Sequence, residues 1–193
     1  MTTIGITGSL ASGKTTAAKY LKEFGARLIN ADSVAHDLYK NDRDVVKAVR
    51  KEFGKEVFSG KMIDRKKLGG VVFKNKNRMN RLCAIVHPRI MDKIKKEARK
   101  EKKRIVVIDA PLLLEAGLHK FVDYVLVVKA GRNAIMRRCG KKGLGKKEAG
   151  LVLKTQMPTR EKIKYADFAV ANNGTKSDLR KKIKRIWKKV SGR

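Results

Sequence analysis

A short glycine-containing loop near the start of the chain constrains the fold more than any other feature. Residues 8–15 read GSLASGKT and match the pattern G-x-x-x-x-G-K-[ST] in full. The loop follows a β-branched stretch at residues 3–7 and precedes apolar residues at helical spacing between positions 17 and 24. Residues 27–30 form a second strand pattern, so this part of the chain predicts a βαβ unit and therefore a parallel sheet.

Each part of this phosphate loop has a defined chemistry. Gly8 and Gly13 permit the tight backbone path that turns successive N–H groups toward an anion, and the following helix adds its positive N-terminal end. Lys14 supplies a cation for the β- and γ-phosphates, and the hydroxyl of Thr15 is placed to bind Mg²⁺. The predicted ATP-binding residues are Gly8, Ser9, Leu10, Ala11, Ser12, Gly13, Lys14, Thr15 and Thr16.

Two aspartates follow predicted strands and have two interpretations each. Asp32 lies just past the strand at residues 27–30, where it could accept a proton from a substrate hydroxyl and help to hold Mg²⁺. It could equally cap the helix that follows. Asp109 ends the apolar run RIVVID at residues 104–109, where it could face Mg²⁺ or cap a loop. Spacing alone leaves both alternatives open for both residues.

The middle of the chain predicts a helical insertion between two strands of the sheet. Residues 33–103 have mostly helical patterns and no convincing buried strand. Breaks are expected near Asn41, at residues 54–60, at residues 75–77 and at His87-Pro88.

The remaining chain predicts the rest of an α/β domain. Strands are expected at residues 104–109, 123–129 and 168–171, because these runs are apolar as in strands covered on both faces. A final helix is expected over residues 178–190, with its apolar residues on one face. Glycines at 140, 143 and 145 interrupt a basic stretch between these elements.

The charge balance suggests anionic partners without identifying one. The chain has 49 Lys or Arg and 18 Asp or Glu in 193 residues, which gives a formal net charge of +31. Such a balance is compatible with nucleic acid, with a small anion such as a nucleotide, or with a lysine-rich surface that has no specific partner. The apolar content of 42% argues against a disordered chain.

The sequence gives no sign of a membrane span, a signal peptide or a zinc site. No apolar run approaches the roughly 18 residues that a membrane helix needs, and no basic stretch followed by an apolar one opens the chain. Cys83 and Cys139 lie far apart, and together with three histidines they show no metal-like spacing. A cytoplasmic location is expected.

Several segments, in order along nearly the whole chain, together resemble the dephospho-CoA kinase family. They read ITGSLASGKTT, NADSVAHDL, GKMIDRKKLGGVVF, AIVHPRI, APLLLEAGL, QMPTREKIKYAD and ANNG. The resemblance implies a three-layer P-loop kinase fold of class α/β, with a parallel sheet, a helical substrate-binding insertion and a small lid. The core would then cover about residues 1–32, 104–138 and 165–193, the insertion about 33–103 and the lid about 139–164.

The resemblance also implies an activity. Members of this family transfer the γ-phosphoryl group of ATP to the 3′-hydroxyl of dephospho-CoA, which is the last step of coenzyme A synthesis. Asp32 would be the catalytic base, with Lys14 and Arg137 completing the catalytic set. Arg65 and His87 would bind the acceptor together with Asp32.

The same resemblance implies a cofactor and a nucleotide contact. Mg²⁺ would be the cofactor, held by Thr15 and potentially by Asp32 and Asp109. Asn172 would lie near the adenine of ATP. The expected partners are ATP and dephospho-CoA, without a specific nucleic acid or a membrane, and the chain would be a monomer or a weak oligomer.

Two other functions remain open from the sequence. One is a different small-molecule P-loop kinase that acts on a nucleoside or nucleotide. The other is a nucleic-acid-associated nucleotide-binding protein, which the charge of +31 would favour. No recognition motif for RNA or DNA is visible, and this weakens the second alternative.

Overall fold

A computed structural model describes residues 1–72, 75–99, 105–115 and 117–192. The chain divides into two compact units. The sheet unit comprises Met1–Asn30 and Lys100–Arg193, and the helical unit comprises Ala31–Arg99. The helical unit corresponds closely to the insertion predicted at about residues 33–103. The last predicted residues, 100–103, lie outside the described ranges.

Strands and helices alternate in the sheet unit and helices dominate the helical unit. The strands are β1 (Thr2–Gly8), β2 (Arg27–Asn30), β3 (Phe58–Ser59), β4 (Met62–Ile63), β5 (Ile105–Asp109), β6 (Tyr124–Lys129) and β7 (Phe168–Ala171). The helices are α1 (Lys14–Glu23), α2 (Ala31–Asn41), α3 (Arg43–Phe53), α4 (Arg65–Val72), α5 (Lys76–Arg99), α6 (Arg132–Gly140), α7 (Lys146–Thr155), α8 (Thr159–Ile163) and α9 (Lys176–Ser191). A 3₁₀ turn covers Leu118–Phe121.

The sheet unit is built on a parallel sheet, as the βαβ pattern predicts. Its strand order is β2-β5-β1-β6-β7, and each neighbouring pair is parallel. Ile4 in the central strand pairs with Val107 on one side and Tyr124 on the other. The strand predictions for the C-terminal half are confirmed by β5, β6 and β7, while Arg104 lies outside the described residues.

Apolar side chains cover both faces of this sheet. One face packs against α1 and α9 through a cluster of buried residues: Ile4, Ile6, Ala17, Ala18, Leu21, Ala26, Ile105, Val107, Leu126, Val128, Val170, Leu179, Ile183 and Ile186. Gly5 alternates with Ile4 and Ile6 and so faces the other side, where Leu113 and Val122 lie against it. The central sheet is therefore covered on both faces, in agreement with the predicted layered α/β class.

The last helix begins at a capping box. The side chain of Thr175 accepts a hydrogen bond from the backbone N–H of Asp178, whose carboxylate accepts from the backbone N–H of Thr175. This arrangement satisfies two backbone donors that a helix start leaves unpaired. The predicted apolar face is confirmed, with Leu179, Ile183 and Ile186 buried in the core.

The helical unit contains α2 to α5 and a small antiparallel hairpin. The hairpin, β3 paired with β4, occupies part of the predicted break at residues 54–60. The predicted break at His87-Pro88 is wrong, because α5 continues through Pro88. An interior proline removes one N–H donor and crowds the carbonyl four residues earlier, but Val86 and Ile90 on either side are buried. Packing therefore holds this helix together across the proline.

Within the described ranges, no helix combines the length and the apolar character needed to cross a membrane.

Candidate active site

The phosphate loop connects the carboxyl end of β1 to the start of α1, and its two glycines are needed for different reasons. At Gly8 a Cβ atom would collide with the backbone carbonyl oxygen of Val128 on the neighbouring strand β6. At Gly13 the backbone is left-handed, with φ of 98°, and a Cβ atom would collide with the side-chain amide of Asn172. Gly8 therefore has no room for a side chain. Gly13 has no room either, and its left-handed backbone also disfavours any other residue.

A buried ion pair joins this loop to β5. The Nζ atom of Lys14 donates a hydrogen bond to Oδ1 of Asp109, and the exposed fractions of the two residues are 9% and 1%. Asp109 ends β5 and pairs in register with Ile6 of β1, so the parallel sheet brings its carboxylate to the edge that carries the loop. The sequence-predicted residues Lys14 and Asp109 are thus in direct contact.

Several buried oxygens around the loop lack a hydrogen-bond partner among the described residues. They are Oδ2 of Asp109 and the hydroxyls of Ser9 and Ser12. Buried polar atoms without partners are uncommon and are expected where a ligand supplies the missing interaction. The loop therefore has the chemistry of a site that is completed by an anionic ligand and its metal.

The donor set fits Mg²⁺. Oδ2 of Asp109 is a buried carboxylate oxygen, and Thr15 presents an exposed hydroxyl side chain in the first turn of α1. Mg²⁺ prefers oxygen ligands and is commonly bound by one or two protein groups together with phosphates and water. Among the residues that the structure describes, no group of three or more His, Cys, Asp or Glu could hold a metal on its own.

Asn172 and Arg138 hold the backbone of the phosphate loop. The side-chain amide of Asn172 donates to the carbonyl of Ser12 over 2.8 Å, and its exposed fraction is 7%. The guanidinium of Arg138 donates to the carbonyls of Ala11 and Ser12 over 3.3 and 3.2 Å, and to the carbonyl of Asn172 over 2.8 Å. These contacts fix the carbonyl oxygens on one side of the loop.

The structure separates two neighbouring arginines that the sequence does not distinguish. Arg137, the predicted catalytic arginine, is exposed on α6. Arg138, the next residue, is half-buried and binds the loop as described above. Sequence reasoning missed Arg138, because which of two adjacent helical residues faces the loop depends on the rotation of α6.

Apolar contacts also connect the loop to α6 and α7. Ile135, Cys139 and Ala149 form a small buried cluster, against which Leu10 and Ala11 of the loop pack. Ala11 has a left-handed backbone with φ of 54°, which is unusual for a residue other than glycine. The tip of the loop is thus held by side-chain packing in addition to hydrogen bonds.

The predicted acceptor residues lie in the helical unit. Asp32 is exposed in the first turn of α2, Arg65 is exposed at the start of α4, and His87 is half-buried in α5. Asp32 and Arg65 share Tyr39 as a neighbour. The pKa of Tyr39 is raised to about 12, chiefly by burial, with Cys83 and Asp32 acting in the same direction and Arg65 in the opposite one. Asp32 and Arg65 therefore both lie close enough to Tyr39 to influence its ionisation.

The start of α4 positions Arg65 through a helix cap. The carboxylate of Asp64 accepts hydrogen bonds from the backbone N–H groups of Lys66 and Lys67 over 2.9 and 3.1 Å. It also accepts from the hydroxyl of Ser59. The hydrogen bond from Lys67, then that from Ser59, lower the pKa of Asp64 below its ordinary value of 3.8. This N-cap fixes the first turn of the helix in which Arg65 lies.

Comparisons with known proteins agree with this arrangement. A dephospho-CoA kinase from Fusobacterium nucleatum is 34% identical over 97% of this chain and 97% of its own length. The solved dephospho-CoA kinase from Campylobacter jejuni is 30% identical, with a TM-score of 0.69 and 98% of each chain covered. A shikimate kinase from Acinetobacter baumannii shares the fold alone, at 12% identity, a TM-score of 0.58 and coverage of 100% and 94%.

The family assignment rests on the length of the match as well as on the phosphate loop. A sequence model described as dephospho-CoA kinase matches residues 2–178, which includes the segments that form both units. Because the match extends from the phosphate loop through the helical unit to α9, this chain belongs to the dephospho-CoA kinase family.

Proposed function

We propose that this chain transfers the γ-phosphoryl group of ATP to the 3′-hydroxyl of dephospho-CoA, giving coenzyme A and ADP. The observation that carries the proposal is the buried Lys14–Asp109 pair beside a phosphate loop with unsatisfied polar atoms, in a member of the dephospho-CoA kinase family. Such a site has the charges and donors that an ATP phosphate chain requires.

Nucleotide binding would begin with an exchange of partners at Lys14. The structure pairs its ammonium group with Asp109. The β- and γ-phosphates carry more negative charge than one carboxylate, so we expect Lys14 to turn to them when ATP binds. The backbone N–H groups of residues 8–15 would bind the same phosphates, and Asn172 would act at the loop as well as near the adenine.

Asp109 and Thr15 would hold Mg²⁺. When bound, the metal neutralises phosphate charge and orients the γ-phosphate. Release of Lys14 from Asp109 would free the carboxylate for this role. Burial of Asp109 in the protein keeps its carboxylate oriented.

The acceptor chemistry would belong to the helical unit. A carboxylate oxygen of Asp32 would take the proton of the 3′-hydroxyl while the hydroxyl oxygen of the acceptor forms a bond to the γ-phosphorus. The bond between the γ-phosphorus and the β–γ bridging oxygen breaks, and ADP leaves. Arg65 and His87 would hold the acceptor, and Arg137 would stabilise charge on the transferred group.

The location and assembly state are part of the same proposal. We place the reaction in the cytoplasm, where ATP is available, and we expect a monomer or a weak oligomer that binds ATP and dephospho-CoA.

The experiment that tests this function is a panel of acceptors with Mg-ATP. Dephospho-CoA should be converted to coenzyme A, whereas AMP, CMP and shikimate should not be phosphorylated at comparable rates. Lys14→Met should abolish turnover, and Lys19→Met, an exposed position on the same helix, should leave it unchanged. A folded protein that phosphorylates another acceptor faster than dephospho-CoA would contradict the proposal.

A further inference from the structure

A second lysine close to the phosphate loop is completely buried. Lys162 on α8 has no exposed surface. Its Nζ atom donates to the carbonyl of Pro111 over 2.8 Å, lies 3.0 Å from Oε1 of Glu115 and lies 3.4 Å from the hydroxyl of Thr7. Thr7 in turn donates to the carbonyl of Pro111 over 3.0 Å. The ammonium group thus links α8 to the end of β1 and to the loop after β5.

Stability alone is a weak reason for a charge at this position. Removing an ammonium group from water costs several kcal/mol, and an apolar side chain of similar volume often replaces a buried ion pair without loss. Burial lowers the pKa of Lys162 below 10.5, Glu115 opposes this shift, and Lys14 reinforces it. The charge is therefore held at an energetic cost beside the lysine of the phosphate loop.

Glu115 extends the contact to the chain segment that follows α7. Its Oε1 atom accepts a hydrogen bond from the backbone N–H of Met157 over 2.8 Å. The preceding residue, Gln156, accepts a hydrogen bond through Oε1 from the backbone N–H of Leu10 over 3.0 Å. Leu10 belongs to the phosphate loop. Residues 156 and 157 thus connect the Lys162–Glu115 pair directly to the phosphate loop.

We propose that Lys162 is a positioning residue for nucleotide binding. It fixes the carboxylate of Glu115, which fixes the backbone at Met157 and so places Gln156 against Leu10. Through this chain Lys162 sets the conformation of the phosphate loop, without contact to the nucleotide. The inference rests on the proposed use of this loop for ATP.

The test compares Mg-ATP affinity with thermal stability in purified full-length variants. Lys162→Met should raise the Kd for Mg-ATP by about tenfold, the effect of roughly 1.4 kcal/mol. Lys164→Met is the matched control, because Lys164 is an exposed lysine on the same turn and pairs with Glu161. Val49→Ala, in the core of the helical unit, is a control for general destabilisation and should lower the Tm without changing this Kd.

Two further variants keep the proposal falsifiable if Lys162→Met does not fold. Glu115→Gln keeps the shape of the side chain but removes its charge, and Gln156→Ala removes the contact to Leu10. Each should weaken Mg-ATP binding, and the effects of Glu115→Gln and Gln156→Ala should be less than additive because they act on one path.

The outcomes separate this inference from the proposed function. A lower Tm with an unchanged Kd for Mg-ATP in Lys162→Met, or an unchanged Kd in Gln156→Ala, would overturn the positioning role. If the parent binds Mg-ATP but does not phosphorylate dephospho-CoA, the proposed function fails while a raised Kd in Lys162→Met still supports the inference. A parent that does not bind Mg-ATP would overturn both.

Discussion

The sheet unit and the helical unit differ in how deeply their ion pairs are buried. Around the phosphate loop, Lys14 pairs with Asp109 in the interior, and Lys162 is buried against Glu115. In the helical unit, Arg89 pairs with Asp44, but the exposed fractions of these side chains are 48% and 70%. Buried pairs are costly to break on one side, whereas exposed pairs contribute little to stability.

This difference in burial predicts how each unit should respond to substitution of its charged residues. In the sheet unit the buried polar groups shape the phosphate loop, so their loss should weaken nucleotide binding. In the helical unit Asp32 and Arg65 are exposed on helices whose cores are apolar. Their loss should therefore reduce turnover while the fold and nucleotide binding remain intact.

In the helical unit the largest expected effect is on turnover, from Asp32→Asn. Removal of a general base costs about 100-fold to 10,000-fold in rate, so kcat should fall by that order. The Kd for Mg-ATP should stay within a factor of about three, since the change leaves the sheet unit intact. Asp37→Asn on the same helix is the control, because Asp37 pairs with Lys93, and it should leave kcat unchanged. A kcat of Asp32→Asn within a few-fold of the parent would exclude Asp32 as the base.

The next largest effects come from two glycine substitutions, one in each unit, that should change different properties. Gly13→Ala places a side chain on a left-handed backbone and against Asn172, so the backbone penalty alone of about 1–2 kcal/mol should weaken Mg-ATP binding roughly tenfold. At Gly70 in α4 an added Cβ atom meets open space. Gly70→Ala should raise the Tm, because alanine favours a helix interior by about 1 kcal/mol. Similar Mg-ATP affinities in the two variants would contradict the claim that substitution in the sheet unit, but not in the helical unit, weakens nucleotide binding.

A smaller effect concerns the pH dependence of stability in the sheet unit. The pKa of Lys162 lies below 10.5 in the folded protein, chiefly through burial, with Glu115 opposing and Lys14 assisting. Between the folded pKa and 10.5 the unfolded chain binds more protons, so the contribution of Lys162 to the unfolding free energy rises with pH. Urea unfolding of parent and Lys162→Met across this interval should show a steeper rise in the parent. Parallel curves would contradict the lowered pKa.

The smallest expected effects concern two helix-capping aspartates, one in each unit, whose pKa values should be lowered in the same way. Asp64 in the helical unit and Asp178 in the sheet unit each accept backbone hydrogen bonds at a helix start, and these bonds lower both pKa values below 3.8. Each carboxylate should contribute stability above its unfolded pKa and lose it as the pH falls through the folded pKa. An NMR titration of the two carboxyl groups measures this directly. A pKa at or above 3.8 for either residue would show that its cap is not formed.

The positive charge is present in both units. Exposed lysines and arginines occur on α9, for example Lys181, Lys184 and Lys188, and on α3, for example Lys47 and Lys51. The excess of +31 is thus not confined to the phosphate loop. Such a distribution favours general attraction of anions over a specific nucleic-acid site.

The parts of the molecule set by local pattern could be predicted from the sequence. The phosphate loop, the parallel sheet and the final helix depend on residue spacing within short segments, and the structure confirms these elements. The contact between Lys14 and Asp109 follows once the two strands are neighbours, because parallel strands end at the same edge.

Contacts that depend on side-chain direction or on packing between distant segments could not be predicted. Arg138 and Arg137 are adjacent in sequence, and only the rotation of α6 gives Arg138 the carbonyls of the loop. Lys162 lies in the segment QMPTREKIKYAD, but its contact with Thr7, 155 residues away in the chain, depends on how distant segments pack. Continuation of α5 through Pro88 likewise depends on tertiary packing, which overrides a local helix-breaking signal.

The central proposal is that residues of the phosphate loop bind ATP and that Asp32 acts as the base on the 3′-hydroxyl of dephospho-CoA. The most direct test is to incubate the purified protein with Mg-ATP and dephospho-CoA, count ADP and coenzyme A, and locate the new phosphate by ³¹P NMR. The account predicts one coenzyme A for each ADP, with the phosphate on the 3′-oxygen. ADP formed at an equal rate without dephospho-CoA, or a phosphate on another oxygen, would contradict it.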